Sequence, residues 1–359
     1  GGAESLFATI AEIFPKAPIF TSLVDWSKLP KSIDPKRVKT SFLQKIPFSK
    51  NLYKLLLPFY PLAFETFDFS SYDVVLSSTT RFAKSIITKP NTTHICYTNS
   101  TPRFLWEEKA QKEYLPFLYI ILFKPALLWL KRWDRVSSSR VDVFIANSQN
   151  VARRVKKYYD AEAKVIYPFA NLDFFKPAQV HNWELKSKNY LLVVSRLVKW
   201  KKIETAIRAA QNTKSNLKIV GDGPDKGRLQ KLAQGQQNIE FLEKVDTNTL
   251  RDLYQNCHAL VVTQEEDFGI ATVEAQACGA PVIAYKRGGQ SEIVQDGKTG
   301  ILYKEQSPGS LSDAITASSE VKWEISACRK NSLRFSKATF VKELKKACQN
   351  ISVKFTPLS

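Results

Sequence analysis

Two glutamates, Glu266 and Glu274, stand eight positions apart in the second half of the chain. Glu266 follows an apolar run at 259–263 that is typical of a buried strand, and Glu274 falls in the helix expected after Gly269. Ligands of an open α/β sheet lie beyond the carboxyl ends of its strands, where helix N-termini offer unpaired N–H groups to anions. One carboxylate can then orient a ligand while the other accepts hydrogen bonds from hydroxyl groups. Taken singly, each glutamate is also explained as a charge that complements a helix dipole.

A second loop supplies the opposite charge. The apolar run at 190–194 predicts a buried strand, and the loop that follows it carries Arg196 and Lys201. A guanidinium can bind two phosphate oxygens at once, whereas an ammonium acts as a compact charge. The pair is therefore suited to hold a diphosphate and to stabilise it as it leaves. The alternative is a solvated basic loop of the kind common on protein surfaces.

The spacing of the two glutamates, with Phe268 and Gly269 between them and Ala-Cys-Gly-Ala-Pro-Val at 277–282, resembles a known signature. It is similar to the nucleotide-sugar motif of the retaining glycosyltransferases of family 4, also called glycosyl transferases group 1. This resemblance implies an α/β chain with two Rossmann-like domains facing across a cleft, the GT-B fold. It also implies a nucleotide-sugar donor substrate without a separate cofactor, catalytic roles for Glu266, Arg196 and Lys201, and a ribose contact for Glu274.

The resemblance assigns further donor-side positions to loops at the ends of strands. The glycines that open the chain would face the diphosphate, although the strand that should precede them is missing from this sequence. The loop after the strand predicted at 238–242 is where relatives hold the base through backbone groups. The expected binding positions are Gly1, Gly2, Lys244, Val245, Asp267, Phe268, Gly269 and Ile270.

The stretch 94–106 resembles the acceptor-side motif of the same family, particularly that of bacterial O-antigen mannosyltransferases. It implies GDP-mannose as donor and a saccharide or lipid-linked saccharide acceptor in surface polysaccharide or glycolipid synthesis. Asn99 stands where those relatives commonly carry histidine, and an amide can form hydrogen bonds but cannot take up a proton. A weakened or acceptor-altered enzyme is therefore an alternative. Arg103 and Trp106 either line the acceptor side or serve packing alone.

Short strands alternate with helical stretches in both halves, which predicts parallel sheets with crossover helices. The length of 359 residues suits two domains. The resemblance implies an N-terminal acceptor domain at 1–180, a donor domain at 181–334 and a C-terminal helix at 335–359 that returns to the first domain. A polar linker is expected at 176–189. The predicted strands of the first half lie at 18–21, 73–77, 94–97, 141–146 and 164–167, and those of the second at 190–194, 217–220, 238–242, 259–263, 281–284 and 300–303.

The net charge of +19 indicates a polyanionic partner. Nucleic acid is disfavoured, because the sequence contains no zinc spacing, RNA-binding signature or helix-turn-helix pattern that would accompany the charge. An anionic membrane surface fits better, since basic and aromatic residues are interleaved at 31–60. The apolar run at 115–130 is too short to span a bilayer and predicts a helix that is buried or interfacial, with core packing preferred.

The cysteines and histidines point to neither a disulfide framework nor a metal. Five cysteines are scattered without paired spacing, and three histidines lack ligand spacing, so we expect a cytoplasmic protein that needs no metal. Arg196 and Lys201 would neutralise the diphosphate instead. Three other functions are retained: a catalytically weakened nucleotide-sugar-binding protein, a nucleotide-sugar epimerase of the same fold, and a nucleic-acid-binding protein suggested by charge alone.

Overall fold

The structure, a computed structural model, describes residues 2–49, 52–178 and 189–352. The chain divides by packing into two compact units: unit 1 comprises Gly1–Tyr167 and Val341–Ser359, and unit 2 comprises Pro168–Phe340. Gly1, most of the predicted linker at 176–189 and the expected domain boundary at 180 lie outside the described residues. Among the described strands, every ladder in either unit is parallel, as the alternation of strands and helices predicts.

Unit 1 contains two parallel sheets, one of two strands in the order β1-β2 and one of four in the order β3-β4-β5-β6. The sequence did not reveal β2, because a three-residue strand is too short to show an alternating pattern. The elements run α1 (Gly2–Ile13), β1 (Ile19–Thr21), β2 (Val38–Thr40), α2 (Tyr60–Glu65), β3 (Val74–Thr79), β4 (Thr93–Thr98), α3 (Arg103–Trp106), α4 (Glu108–Tyr114), α5 (Phe117–Leu122), α6 (Lys124–Ser137), β5 (Val143–Ala146), α7 (Gln149–Tyr159) and β6 (Ala163–Val165).

Strands β1 and β3 are not paired with each other. A cavity of about 270 Å³ has a lining drawn from both strands and from helix α1, and it includes Phe7, Ile19, Phe69 and Val75. The lining is mostly apolar, so the cavity is an interruption in the hydrophobic interior of unit 1. The two sheets of this unit therefore present unpaired edges to a common apolar space.

The apolar run at 115–130 forms two helices, α5 and α6, rather than one. Pro125 occupies the first turn of α6, where its missing N–H removes no hydrogen bond. Leu127 and Leu130 are buried, but Phe117 is 76% exposed and Leu122 is 65% exposed. The preference for core packing is therefore wrong for much of this run, because most of its apolar side chains on α5 face solvent.

Unit 2 is built on one six-stranded parallel sheet in the order β12-β11-β10-β7-β8-β9. Its first strand lies at the centre, and the strand order reverses there. The elements run β7 (Tyr190–Val194), α8 (Ile203–Thr213), β8 (Asn216–Val220), α9 (Lys226–Leu232), β9 (Ile239–Leu242), α10 (Thr247–Asn256), β10 (Ala259–Val262), α11 (Ile270–Ala277), β11 (Val282–Tyr285), α12 (Gln290–Ile293), β12 (Gly300–Tyr303), α13 (Pro308–Glu320), α14 (Ile325–Ser332) and α15 (Lys337–Ser352), which continues into unit 1.

The central strands of unit 2 form because their apolar runs can be buried on both faces. Strand β10 is buried along its whole length, and the core side of the sheet packs against α8 through Ile203 and Ile207. Asp246 begins α10 by accepting hydrogen bonds from the backbone N–H groups of Asn248 and Thr249. This rigid layer fixes where the loops at the carboxyl edge of the sheet emerge.

Candidate active site in unit 2

Strands β7 and β10 are parallel neighbours, with Leu192 opposite Leu260. They end at Val194 and Val262, so the loops that follow them leave the sheet at the same edge. The first loop carries Arg196 and Lys201, and the second carries Glu266. The topology thus brings together the basic and acidic loops that the sequence singles out.

Lys201 and Glu266 form an ion pair between Nζ and Oε1. The side chain of Lys201 is 11% exposed and that of Glu266 is 25% exposed, so the pair is sheltered but open to a ligand. The Thr263 hydroxyl donates to the carbonyl oxygen of Lys201 at 2.7 Å, and the Lys201 ammonium lies 4.2 Å from the ring centroid of Trp200. These contacts restrain the cation at the end of the sheet.

Two glutamines support Glu266. The Gln264 side-chain amide donates to Glu266 Oε1, and the backbone N–H of Glu266 donates to Gln290 Oε1 at 3.0 Å. Gln290 Nε2 in turn donates to the carbonyl oxygen of Gln264 at 2.6 Å. Neither glutamine was predicted from the sequence, although Gln264 directly follows the strand run and Gln290 directly follows a Gly-Gly pair. The network fixes the Glu266 backbone and one carboxylate oxygen together.

The Gly288–Gly289 loop packs directly against the Glu266–Phe268 backbone. The N–H of Gly289 donates to the carbonyl oxygen of Glu266 at 2.8 Å. A Cβ atom on Gly289 would lie 2.4 Å from Phe268 Cα, closer than real Cβ contacts come, so this position requires glycine. The two loops are therefore locked to each other through main-chain atoms.

Helix α11 begins beside this network. Gly269 precedes it with a φ of +104°, a left-handed conformation that suits glycine. Phe268 is buried and packs edge-on against Phe335, with ring centroids 5.4 Å apart. Within the described residues, Thr272 Oγ1 is a buried hydroxyl without a hydrogen-bond partner in the first turn of the helix. The helix thus presents its N-terminal end, with its positive dipole, next to Glu266.

Glu274 lies further along α11 and is largely buried. Tyr254 Oη donates to Glu274 Oε2 at 3.1 Å. Burial raises the pKa of Glu274 from 4.5 to about 7, although the hydrogen bond from Tyr254 acts in the opposite direction. Both protonation states of this carboxyl are consequently populated near neutral pH.

Three of the other predicted donor-side positions, Arg196, Lys244 and Val245, also lie in loops beyond strand ends of unit 2, and Ile270 is the first residue of α11. Arg196 is exposed in the loop after β7, and Gly221 of the neighbouring loop approaches so closely that a Cβ there would lie 1.9 Å from the Ser195 carbonyl oxygen. Lys244 is exposed and Val245 half-buried in the loop after β9. Direct side-chain contact is established for Lys201 with Glu266. The described hydrogen bond of Glu274 goes to Tyr254, not to either cation.

The predicted acceptor-side residues lie in unit 1. Gly2, which was predicted to face the donor diphosphate, is also in unit 1, where it is the first residue of α1. Asn99 is buried, and its side-chain amide donates to Ser78 Oγ at 3.0 Å. The backbone carbonyl oxygen of Asn99 accepts a hydrogen bond from Asn147 Nδ2 at 2.8 Å. Arg103 forms an ion pair with Glu107 at 2.8 Å.

Trp106, also considered for the acceptor side, is held by contacts inside unit 1. Its ring stacks on that of Tyr158 with centroids 4.8 Å apart, and its indole N–H donates to Asp134 Oδ2 at 2.8 Å. These contacts fix the position of the Trp106 ring within unit 1. As for metals, the ranges 2–49, 52–178 and 189–352 contain no cluster of three or more His, Cys, Asp or Glu side chains that could hold an ion.

The sequence of unit 2 is similar to that of known proteins. Residues 176–332 match the sequence model of the family described as Glycosyl transferases group 1. An uncharacterized glycosyltransferase of Methanocaldococcus jannaschii is 27% identical over 184 residues, which are 50% of this chain and 50% of that protein. The D-inositol 3-phosphate glycosyltransferase of Nocardiopsis dassonvillei is 30% identical over 195 residues, covering 47% and 46%. The chain thus spans about half the length of the curated relatives it matches.

Solved structures resemble almost the whole chain. The sucrose-phosphate synthase of Thermosynechococcus elongatus has a TM-score of 0.73 at 19% identity, covering 98% of this chain and 92% of that one. The Anabaena protein HepE in complex with UDP has a TM-score of 0.70 at 18% identity, covering 98% and 96%. These likenesses confirm the predicted α/β fold class. The chain therefore has the fold of solved glycosyltransferases, and its residues 176–332 match the family of glycosyl transferases group 1.

Proposed function

We propose that this chain is a retaining glycosyltransferase that moves a hexose from a nucleotide diphosphate sugar to a saccharide acceptor. The observation that carries the proposal is the Lys201–Glu266 ion pair beside the start of α11, at the carboxyl edge of a parallel sheet. A donor of this kind has a diphosphate, which a cation and a helix N-terminus can bind. It also has sugar hydroxyls, which a carboxylate can bind. The family match over 176–332 supports the same reaction class.

In this proposal, Lys201 and Arg196 bind the diphosphate, and the N-terminal end of α11 adds its dipole. Negative charge grows on the diphosphate as the glycosidic bond to it breaks, so fixed cations stabilise the transition state more than the ground state. Two basic side chains supply the positive charge for which other transferases use a metal ion, so we propose that the reaction needs no metal.

The two glutamates have separate roles in the proposal. Glu266, held by Gln264 and by the backbone contact to Gln290, contacts the hydroxyls of the transferred sugar and orients it. Glu274 accepts hydrogen bonds from the ribose diol in its ionised form. Its pKa of about 7 means that donor binding, which requires the carboxylate, is coupled to loss of a proton near neutral pH.

GDP-mannose is the first donor to test, because the 94–106 stretch resembles that of O-antigen mannosyltransferases. UDP-glucose is the second, because the HepE structures contain UDP or UDP-glucose. The acceptor in this proposal is a saccharide or lipid-linked saccharide of a surface polysaccharide or glycolipid, and the reaction takes place in the cytoplasm.

The direct test measures nucleotide released from GDP-mannose, UDP-glucose and ADP-glucose, with and without a chelator. We expect one donor to be turned over, the chelator to have no effect, and Glu266→Gln to abolish release while Glu305→Gln does not. Glu305 is an exposed glutamate of the same unit and is the matched control. Failure of the wild-type chain to turn over any of the donors would contradict the proposed activity.

The same experiment separates the alternatives. Tight nucleotide-sugar binding without release, restored to turnover by Asn99→His, identifies a weakened binding protein. Conversion of the donor into a second nucleotide sugar, or into the free epimer, identifies an epimerase. Affinity for polynucleotide without affinity for nucleotide sugars identifies a nucleic-acid-binding protein.

A further inference from the structure

Helices α5 and α6 expose an unusual number of large apolar side chains. Phe117 is 76% exposed and Trp129 is 50% exposed, although side chains of this size are normally buried when a core is available. Contiguous exposed apolar surface marks a contact with a partner or a membrane rather than ordinary surface. The side chains concerned are Phe117, Leu118, Ile121, Leu122, Leu128 and Trp129.

A second exposed apolar row adjoins these helices. It comprises Leu55 and Phe59, which precede α2, and Leu62 within α2. The Lys54 ammonium donates to the carbonyl oxygen of Tyr114 at 2.9 Å, and Tyr119 Oη donates to the carbonyl oxygen of Lys54 at 3.0 Å. The first bond reaches the last residue of α4 and the second reaches α5, so the chain at Lys54, next to Leu55, lies beside these helices. The exposed surface of α5 and α6 is called the α5–α6 face.

The charge on this face has a single sign. Between residues 114 and 141 the sequence has one carboxylate, Asp134, and that side chain is fully buried in an ion pair with Lys84 at 3.0 Å. Lys124, Arg132 and Arg135 are exposed on the same helices. The α5–α6 face therefore offers apolar side chains and cations to a partner, and no exposed acidic group.

We propose that the α5–α6 face docks on a bilayer that contains anionic lipids. Apolar side chains on a helix lying in the interface enter the boundary between headgroups and acyl chains, while neighbouring cations remain with the phosphates. The attachment in this proposal is peripheral. No helix in the described part of the chain is long and apolar enough to cross a membrane. A second copy of the chain is a poorer occupant, because it would bring the same cations against this face without carboxylates to pair with them.

Docking is a property of unit 1 and does not depend on the proposed transfer reaction. It would nevertheless place the protein where a lipid-linked acceptor is found. The docking proposal and the proposed transfer reaction can fail independently, since vesicle binding is measured without donor or acceptor.

The test is co-sedimentation of the full chain with vesicles of phosphatidylcholine alone and of phosphatidylcholine mixed with phosphatidylglycerol. We expect binding to the mixed vesicles at low salt, and loss of most of it at high salt, where exposed charges are screened. The double change Phe117→Ser/Leu122→Ser should weaken binding by at least about tenfold. Each of Lys124→Gln, Arg132→Gln and Arg135→Gln should weaken it about fivefold.

Matched controls come from unit 2. Leu333→Ser changes a leucine that is also half exposed, and Lys298→Gln changes an exposed lysine, so neither should alter vesicle binding. Absence of wild-type binding to the mixed vesicles at low salt would overturn the proposal. So would equal loss in the controls, or self-association in solution that Phe117→Ser/Leu122→Ser abolishes while vesicle binding persists. The last result would assign the face to a dimer.

Discussion

Lys201 and Glu266 form an ion pair across two loops that emerge from the neighbouring strands β7 and β10. The ammonium is therefore held in place by a carboxylate before any donor arrives. A bound diphosphate would attract the same cation, so donor binding and the ion pair share one positive charge. This relationship makes Lys201 more informative to change than an ordinary surface lysine.

Lys201→Met should lower the turnover of the nucleotide sugar about 10²-fold to 10³-fold, the loss typical when one donor to the transition-state charge is removed. The apparent affinity for the donor should fall less, because Arg196 and helix α11 remain. Steady-state kinetics of nucleotide release provide the measurement.

Lys298→Met, a change of an exposed lysine in the same unit, is the control and should leave turnover intact. If Lys201→Met left turnover unchanged while the chain remained folded, the ion pair would be structural. The proposed role of Lys201 at the diphosphate would then be wrong.

Glu274 should make stability depend on pH. Burial raises its pKa from 4.5 to about 7, so the folded protein keeps a proton that the unfolded chain has already lost across this range. The free energy of unfolding should accordingly fall as pH rises from 4.5 to about 7, by up to about 3 kcal/mol, and the loss from this group should stop above that range. Denaturant unfolding at a series of pH values measures it.

Glu274→Gln replaces the carboxyl with a neutral side chain of similar shape. The variant should match the wild type below pH 4.5 and exceed it in stability above pH 7, because only the wild type buries a charge there. Parallel pH profiles for the two proteins would show that the carboxyl is not perturbed in this way.

Gly289→Ala should disturb the site without unfolding the chain. The new methyl group would lie 2.4 Å from Phe268 Cα, so the Glu266–Phe268 backbone would have to move. A displacement of about 1 Å near reacting groups can cost on the order of 10²-fold in rate, and we expect a loss of that order in nucleotide release. Gly309→Ala is the control, since a Cβ there meets no atom within 4 Å. Equal activity of the two variants would show that the loop contact does not position Glu266.

The buried Lys84–Asp134 pair should be important for the stability of unit 1. Asp134 also accepts hydrogen bonds from Trp106 at 2.8 Å and from Tyr159 at 3.0 Å. Asp134→Ala would leave the buried Lys84 ammonium without its carboxylate and would remove the acceptor of Trp106 and Tyr159, at a cost of about 3–5 kcal/mol in the free energy of unfolding. Denaturant titration checks this. The double change Lys84→Met/Asp134→Leu should cost less than the sum of the two single changes, whereas strict additivity would mean that the charges do not interact.

The sequence predicts the sheet of unit 2 well for a physical reason. Strands buried on both faces are continuous apolar runs, so the central strand Tyr190–Val194 is found with the predicted limits. The edge strand Gly300–Tyr303, which is only partly buried, also has the predicted limits. Strand β2 was missed because three residues carry no pattern. The run at 115–130 was misjudged because hydrophobicity alone does not say whether a side chain meets the core or another surface.

The candidate site was also predicted only in part. Loops after adjacent parallel strands emerge at one edge, which is why the sequence predicts Lys201 and Glu266 at the same edge of the sheet. Their direct ion pair was not predicted. Gln264 and Gln290 were missed because uncharged amides carry no signal until the fold shows what they support. Likewise, no sequence pattern indicates that Asn99 forms a hydrogen bond with Ser78 inside unit 1.

Strands β1 and β3 of unit 1 are not paired with each other, and the space between them is called the gap. We therefore expect the strands of the two units to differ in hydrogen exchange. In unit 2 the first strand, β7, has hydrogen-bonded neighbours on both sides, whereas among the described strands β3 is paired with β4 alone and β1 with β2 alone. Amide protons that face the gap have no strand to protect them, so deuterium should replace them well before it reaches β7. Local opening of this protein should therefore begin between β1 and β3, next to the helix that starts at Gly2.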